Sequence, residues 1–70
     1  MAAQPRIFKV VDVSNGAVLA DGTDTRATID TLTAVATIFD VEVYVWHPPA
    51  MGWRQLTLGE LRTLWDFRGR

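Results

Sequence analysis

Residues 41–46, VEVYVW, show the clearest alternation of hydrophobic and polar positions in the chain. A period of two sends the three valines to one face of a β-sheet and Tyr44 and Trp46 to the other. β-Branched and aromatic residues favour strands, and the valine face is expected to form core. The prolines at 48 and 49 mark a loop, because proline cannot donate to a strand ladder. A short strand over 53–56 is predicted to follow the loop.

Two further apolar runs predict a hairpin in the N-terminal part of the chain. The segments 6–13 and 18–20 flank Asn15–Gly16, and Asn-Gly is the strongest short-range hairpin signal. A type I′ turn there would pair Val13 with Val18. The facing of the first strand stays open because both of its sides are half apolar. The sheet could therefore be covered on more than one face.

A first helix is predicted over 24–39, with Thr23 or Thr25 as its N-cap. Apolar residues recur there at helical spacing: Ile29, Leu32, Val35, Ala36 and Phe39. This stripe is expected to pack on the valine face, with Thr28 outside it. Because threonine is a mediocre helix former, the helix is expected to depend on tertiary packing.

A second helix is predicted over 58–68. Thr57 and Glu60 match a capping box, in which the Thr57 side chain accepts from the Glu60 N–H and Glu60 reaches back. Gly69 is a plausible stop. The apolar stripe of this helix is Leu58, Leu61, Leu64 and Trp65.

These elements predict an α+β fold with the order ββαββα. The strands are expected to form one four-stranded, mainly antiparallel sheet, with helix 24–39 on one face. The C-terminal helix 58–68 either packs beside it or covers the other face. Residues 1–70 are expected to form a single small globular domain with a loose leader at 1–5.

The composition of the 70 residues limits the chemistry. The chain has no cysteine and one histidine, which excludes disulfides and thiolate metal sites. No apolar run reaches the ~18–20 residues of a membrane span, and no signal-peptide pattern is present, which predicts a cytoplasmic protein. The net charge of −1 argues against general nucleic-acid affinity. Acidic residues dominate the middle of the chain and basic residues its ends, so folding could separate an acidic side from a basic side.

His47 is the one candidate for a catalytic base. Such a base needs an orienting acid and a nucleophile, and no spacing in the sequence places candidates beside it. Its expected role is structural, at the end of a strand before Pro48. We therefore predict no catalytic residue, no metal site and no cofactor, and we expect that the protein is not an enzyme.

Aromatic side chains and an arginine cluster around the second predicted hairpin. Aromatic and arginine enrichment is typical of protein-interface hot spots. The alternative is that the tryptophans are buried in the core or under the C-terminal helix. The predicted partner-binding surface consists of Phe8, Tyr44, Trp46, His47, Trp53 and Arg54.

The short chain, its six arginines to one lysine and the absence of a catalytic motif resemble the small accessory and inhibitor proteins of tailed phages of high-GC actinobacteria. The resemblance implies a non-enzymatic binder that modulates a host or phage protein in the host cytoplasm. The leading hypothesis is therefore a protein-interaction module. Two alternatives remain: a small nucleic-acid-binding protein that uses arginines and aromatic residues, and a homodimer that covers a sticky face with its own copy.

Overall fold

The computed structural model describes residues 6–68, so the predicted leader at 1–5 and the predicted stop at Gly69 lie outside the described residues. The elements are β1 (Phe8–Asp12), β2 (Val18–Thr23), α1 (Thr25–Thr33), β3 (Val41–His47), β4 (Gly52–Gln55) and α2 (Leu58–Asp66), with short 3-10 turns at Ile38–Asp40 and Pro48–Ala50. The four strands form one sheet in the order β2-β1-β3-β4, and each neighbouring pair is antiparallel. The predicted α+β fold is confirmed.

Both helices pack on the face of the sheet that carries the valines. Val41, Val43 and Val45 are 5%, 1% and 6% exposed, which confirms that this face is core. Leu32 of α1 and Leu61 of α2 belong to the same buried cluster. Of the two positions left open for the C-terminal helix, α2 takes the one beside α1. Within residues 6–68 the sheet is therefore covered on one face, and the other face is open.

The N-cap of helix α1 lies between the two predicted cap residues, Thr23 and Thr25. Asp24 is the N-cap, and its side chain accepts a hydrogen bond from the Ala27 N–H at 2.8 Å. Thr23 is the last residue of β2, and its hydroxyl pairs with that of Thr28 at 2.8 Å. Thr28 was expected outside the packed stripe but is fully buried. Its hydroxyl can be buried without penalty because it also donates to the Asp24 carbonyl at 2.7 Å.

Helix α1 ends at Thr33, six residues before the predicted end at 39. The hydroxyls of Thr31 and Thr33 bond the carbonyls four residues earlier, which weakens a helix interior. Thr37 then opens a separate capped 3-10 turn, in which Asp40 accepts from the Thr37 N–H. Phe39 is 74% exposed as a result, and its predicted place in the core is wrong.

Helix α2 confirms its predicted N-terminus. The Thr57 side chain accepts from the Glu60 N–H at 3.2 Å, and Glu60 accepts from the Thr57 N–H at 2.9 Å. The helix ends at Asp66, two residues before the predicted end. Leu58 is 56% exposed, so its predicted place in the packed stripe is wrong.

Arg68 joins the ends of the two helices. Its guanidinium lies 3.4 Å from the Trp65 ring centroid and donates to the carbonyl oxygens of Leu32 and Val35 at 3.4 and 3.2 Å. A carbonyl in the last turn of α1 and one just beyond its end thereby gain a cationic donor.

The first hairpin has a longer loop than the predicted two-residue turn. Strand β1 ends at Asp12, whose N–H donates to the Ala17 carbonyl and whose carbonyl accepts from the Gly16 N–H, both at 2.8 Å. Gly16 has a φ of 73°, whereas Asn15 does not have positive φ, so the turn is not type I′. Val18 consequently pairs with Val11 instead of Val13.

Candidate functional site

The open face of the sheet carries the side chains that alternate with the buried ones. We use the name aromatic face for the part of it formed by Lys9 of β1, Glu42, Tyr44 and Trp46 of β3, and Trp53 and Gln55 of β4. These positions lie opposite the valine face because successive strand residues point to opposite sides. Tyr44, Trp46 and Trp53 are each half-buried, although neither helix covers them. Contacts within the face itself contribute to this burial.

Trp46 and Trp53 form a cross-strand pair at one end of this face. They are register partners in the β3–β4 ladder, and their ring centroids lie 5.5 Å apart at an interplanar angle of 75°. This edge-to-face arrangement matches the quadrupoles of the two rings and stabilises such a pair by about 0.5–1.5 kcal/mol beyond burial. The hairpin thus holds the two indoles in a fixed relative orientation.

Lys9 extends over the rings from β1. It pairs with Tyr44 in the β1–β3 ladder, and its Nζ lies 5.4 Å from the Tyr44 ring centroid and 4.9 Å from that of Trp53. Both distances are within the range of a cation–π interaction. The ammonium group therefore places one positive charge over two of the aromatic rings, those of Tyr44 and Trp53.

Glu42 supplies the negative charge of the same face. It accepts from the Tyr44 hydroxyl at 3.4 Å and from Gln55 Nε2 at 3.0 Å. Burial, and then the nearby Glu42 charge, raise the pKa of the Tyr44 phenol above its usual range. The phenol donates its hydroxyl proton to the Glu42 carboxylate in a hydrogen bond. The aromatic face combines three rings with one cation and one anion.

The predicted surface residues His47, Arg54 and Phe8 do not lie on the aromatic face. Arg54 is the register partner of Val45, and His47 follows the parity of the buried valines, so both point toward the helix side. Phe8 is 3% exposed and belongs to the core. The strand register therefore shows that the six predicted surface residues do not share one face of the sheet. It keeps Tyr44 and two tryptophans together.

Arg54 forms an ion pair with the first turn of α2. Its two terminal nitrogens donate to the two carboxylate oxygens of Glu60 at 2.9 and 3.1 Å, in bidentate geometry. This pairing, followed by the Thr57 N–H bond, lowers the pKa of the Glu60 carboxyl to about 2. Arg54 thereby fixes β4 to the start of α2 in addition to any role at the surface.

Two grooves lie at opposite ends of the central strands and differ in charge. A groove of about 490 Å³, which we call the end groove, is lined by the cationic or basic side chains Arg6, His47 and Arg54 and by the apolar side chains Ile7, Val45, Trp46 and Pro48. The groove at the other end is about 640 Å³ and includes Asp12 and Asp40. The acidic and basic sides considered from the sequence therefore lie at opposite ends of the strands.

No direct signal in the sequence marks Lys9 as part of the site. Alternation left the facing of β1 open, and only the β1–β3 register, with Lys9 opposite Tyr44, places this ammonium among the rings. Across residues 6–68 no group of three or more His, Asp or Glu side chains could hold a metal ion. In the same residues no helix is long and apolar enough to cross a membrane.

Comparison with known proteins gives no relative: no family model, no curated protein and no solved structure matches the chain.

Proposed function

We propose that this chain is a non-enzymatic protein-interaction module that binds its partner through the aromatic face. The observation that carries the proposal is the ordered set of Tyr44, Trp46 and Trp53 on a sheet face that neither α1 nor α2 covers. Half-exposed aromatic rings held in fixed orientation lose little side-chain entropy on binding, and such residues dominate interface energetics. The partner is a host or phage protein in the host cytoplasm, as the resemblance to phage accessory proteins implies.

The charges of the aromatic face favour a protein over a nucleic acid. Lys9 is its one cation, and it is balanced by Glu42 on the neighbouring strand. A nucleic-acid platform needs a positively charged path beside its stacking rings. The ring contacts of Lys9, at 4.9 and 5.4 Å, also occupy part of the surface on which bases would stack. A mixed face of rings, amide and paired charges is the composition of a protein interface.

The test is loss of partner capture in tryptophan variants that still fold. The protein and its Trp46→Ala and Trp53→Ala variants would be immobilised and exposed to an actinobacterial host lysate. We expect each variant to lose at least about tenfold in captured partner, because hot-spot aromatic residues contribute about 2 kcal/mol or more. Circular dichroism and thermal unfolding would establish that the variants are folded.

Phe39→Ala is the matched control, because Phe39 is a 74% exposed aromatic residue outside the aromatic face. It should retain capture. The proposal is wrong if both tryptophan variants unfold, or if they capture the partner as well as the unaltered protein does. Capture of a second copy in place of another protein would favour the homodimer. Salt-sensitive retention of RNA or DNA would favour the nucleic-acid alternative.

A further inference from the structure

The end groove is amphipathic and adjoins the aromatic face at Trp46. Its apolar walls include Ile7, Trp46 and Pro48, and its basic groups are Arg6, His47 and Arg54. None of its described lining residues carries a carboxylate. A ligand that fills this groove must therefore offer apolar surface together with negative charge.

The guanidinium groups of the end groove are not equivalent. Arg54 is already neutralised by its bidentate pair with Glu60 at 2.9 and 3.1 Å. Arg6, in contrast, makes no ion pair with any residue of 6–68. The charge available to a ligand is therefore that of Arg6, and it matches one carboxylate.

Arg6 also lines a second, smaller depression beside α2. This depression is about 190 Å³ and its apolar walls are Phe8, Leu56 and Leu64. Glu60 and Thr63 complete its lining, and both Glu60 carboxylate oxygens accept from Arg54. One guanidinium thus lines two depressions with apolar walls, one toward Trp46 and one toward α2. The arrangement has the chemical order apolar, cationic, apolar, and its complement is a segment with the order apolar, acidic, apolar.

We propose that the end groove binds an acidic segment of the partner protein, with a carboxylate on Arg6 and large apolar side chains in the two flanking depressions. The inference rests on the proposed function and specifies the chemistry of the partner. Trp46 serves both surfaces, since it lines the end groove and pairs with Trp53 on the aromatic face. A partner that binds Trp46 on the aromatic face can therefore extend a segment from there into the end groove.

The test is an NMR titration of the full chain with short peptides. The probes are the N-acetylated, C-amidated peptide Ala-Phe-Glu-Leu-Ala and its Gln and Lys counterparts at the central position. We expect the Glu peptide to shift the Trp46 indole N–H and the backbone signals of Val45 and His47. It should bind about tenfold more tightly than the Gln peptide, because a charge-assisted hydrogen bond contributes about 1.5–3 kcal/mol. The Lys peptide should bind most weakly.

Arg6→Gln should remove the preference for the Glu peptide over the Gln peptide. Arg62→Gln is the matched control, because Arg62 is an exposed arginine of α2 that lines neither the end groove nor the smaller depression. The inference is overturned by equal binding of the Glu and Gln peptides, by a preference that survives Arg6→Gln, or by unshifted groove signals at millimolar peptide. Tighter binding of oligothymidine than of the Glu peptide at the same signals would also overturn it, in favour of phosphate.

Failure of this inference differs from failure of the proposed function. Trp53 is not part of the end groove, so Trp53→Ala reports on the aromatic face alone. If the inference is wrong and the proposed function is right, Trp53→Ala loses the partner while the peptides show no dependence on Arg6.

Discussion

The two faces of the four-stranded sheet are built from the same strands but have different chemistry. On the covered face, Val10 and Val43 are register partners, 0% and 1% exposed, under Leu32 of α1. The register pairs on either side of Val10 and Val43 lie on the open face. They are Lys9 with Tyr44 and Val11 with Glu42. Small β-branched side chains interlock with a helix, whereas long amphipathic and aromatic ones lie along a solvent-facing surface.

The difference shows how a sheet face can be ordered without a covering layer. Trp46 packs edge-to-face on Trp53, and Lys9 lies over Tyr44 and Trp53. Glu42 accepts hydrogen bonds from the neighbouring tyrosine and from a glutamine of β4. These contacts fix the side chains before any partner arrives, so less conformational entropy remains to be lost on binding.

The largest expected difference between the faces comes from two adjacent valines of β1. Val10→Ala removes two fully buried methyl groups and should lower the free energy of unfolding by about 2–3 kcal/mol. Val11→Ala, on the open face, should cost less than about 1 kcal/mol. Urea denaturation of both variants would measure the difference. Similar losses at the two positions would mean that the open face is also core.

A smaller effect is expected for Lys9→Met, which keeps most of the length of the unbranched side chain but removes its charge. Loss of the two cation–π contacts should lower the free energy of unfolding by about 0.5–1 kcal/mol at this partly exposed site. The apolar patch on the open face would then be larger, and such patches promote association. Sedimentation velocity over a range of concentrations should show more self-association than for the unaltered protein. Sedimentation identical to that of the unaltered protein would mean that Lys9 does not protect this face.

The smallest expected effect concerns the exposed Arg54–Glu60 pair on the helix side. The pKa of the Glu60 carboxyl is lowered to about 2 from an ordinary 4.5, so its stabilising contribution is present above about pH 4.5 and is lost as pH falls toward 2. The melting temperature of the unaltered protein should therefore fall more between about pH 6 and about pH 3 than that of Glu60→Gln. Equal decreases in the two proteins would show that the pair contributes nothing to acid stability.

Local signals in the sequence predicted the features that depend on neighbouring residues. The alternation of 41–46 identified the core face, and Thr57 with Glu60 identified the start of α2. Local signals failed where a competing local bond or a distant partner decided the outcome. The stripe to Phe39 was cut short by a separate capped turn at Thr37, and Thr28 was buried through its hydroxyl bonds.

The candidate site divides in the same way. The sequence identified Tyr44, Trp46 and Trp53 from composition and alternation, and the structure keeps them on one face. The sequence analysis grouped Arg54 with these aromatic residues because the two tryptophans and the arginine are close in sequence. The register of β4 turns that arginine to the helix side, opposite Val45.

By itself, the sequence determined that one sheet face is apolar and that three aromatic rings gather near one hairpin, since both properties follow from a period of two and from short-range turns. Only the tertiary structure decided that both helices share one face, and that Lys9 completes the other. Those outcomes depend on which strands pair and in which register, and the contacts that fix them join residues far apart in the chain: Lys9 with Tyr44, and Arg68 with Leu32.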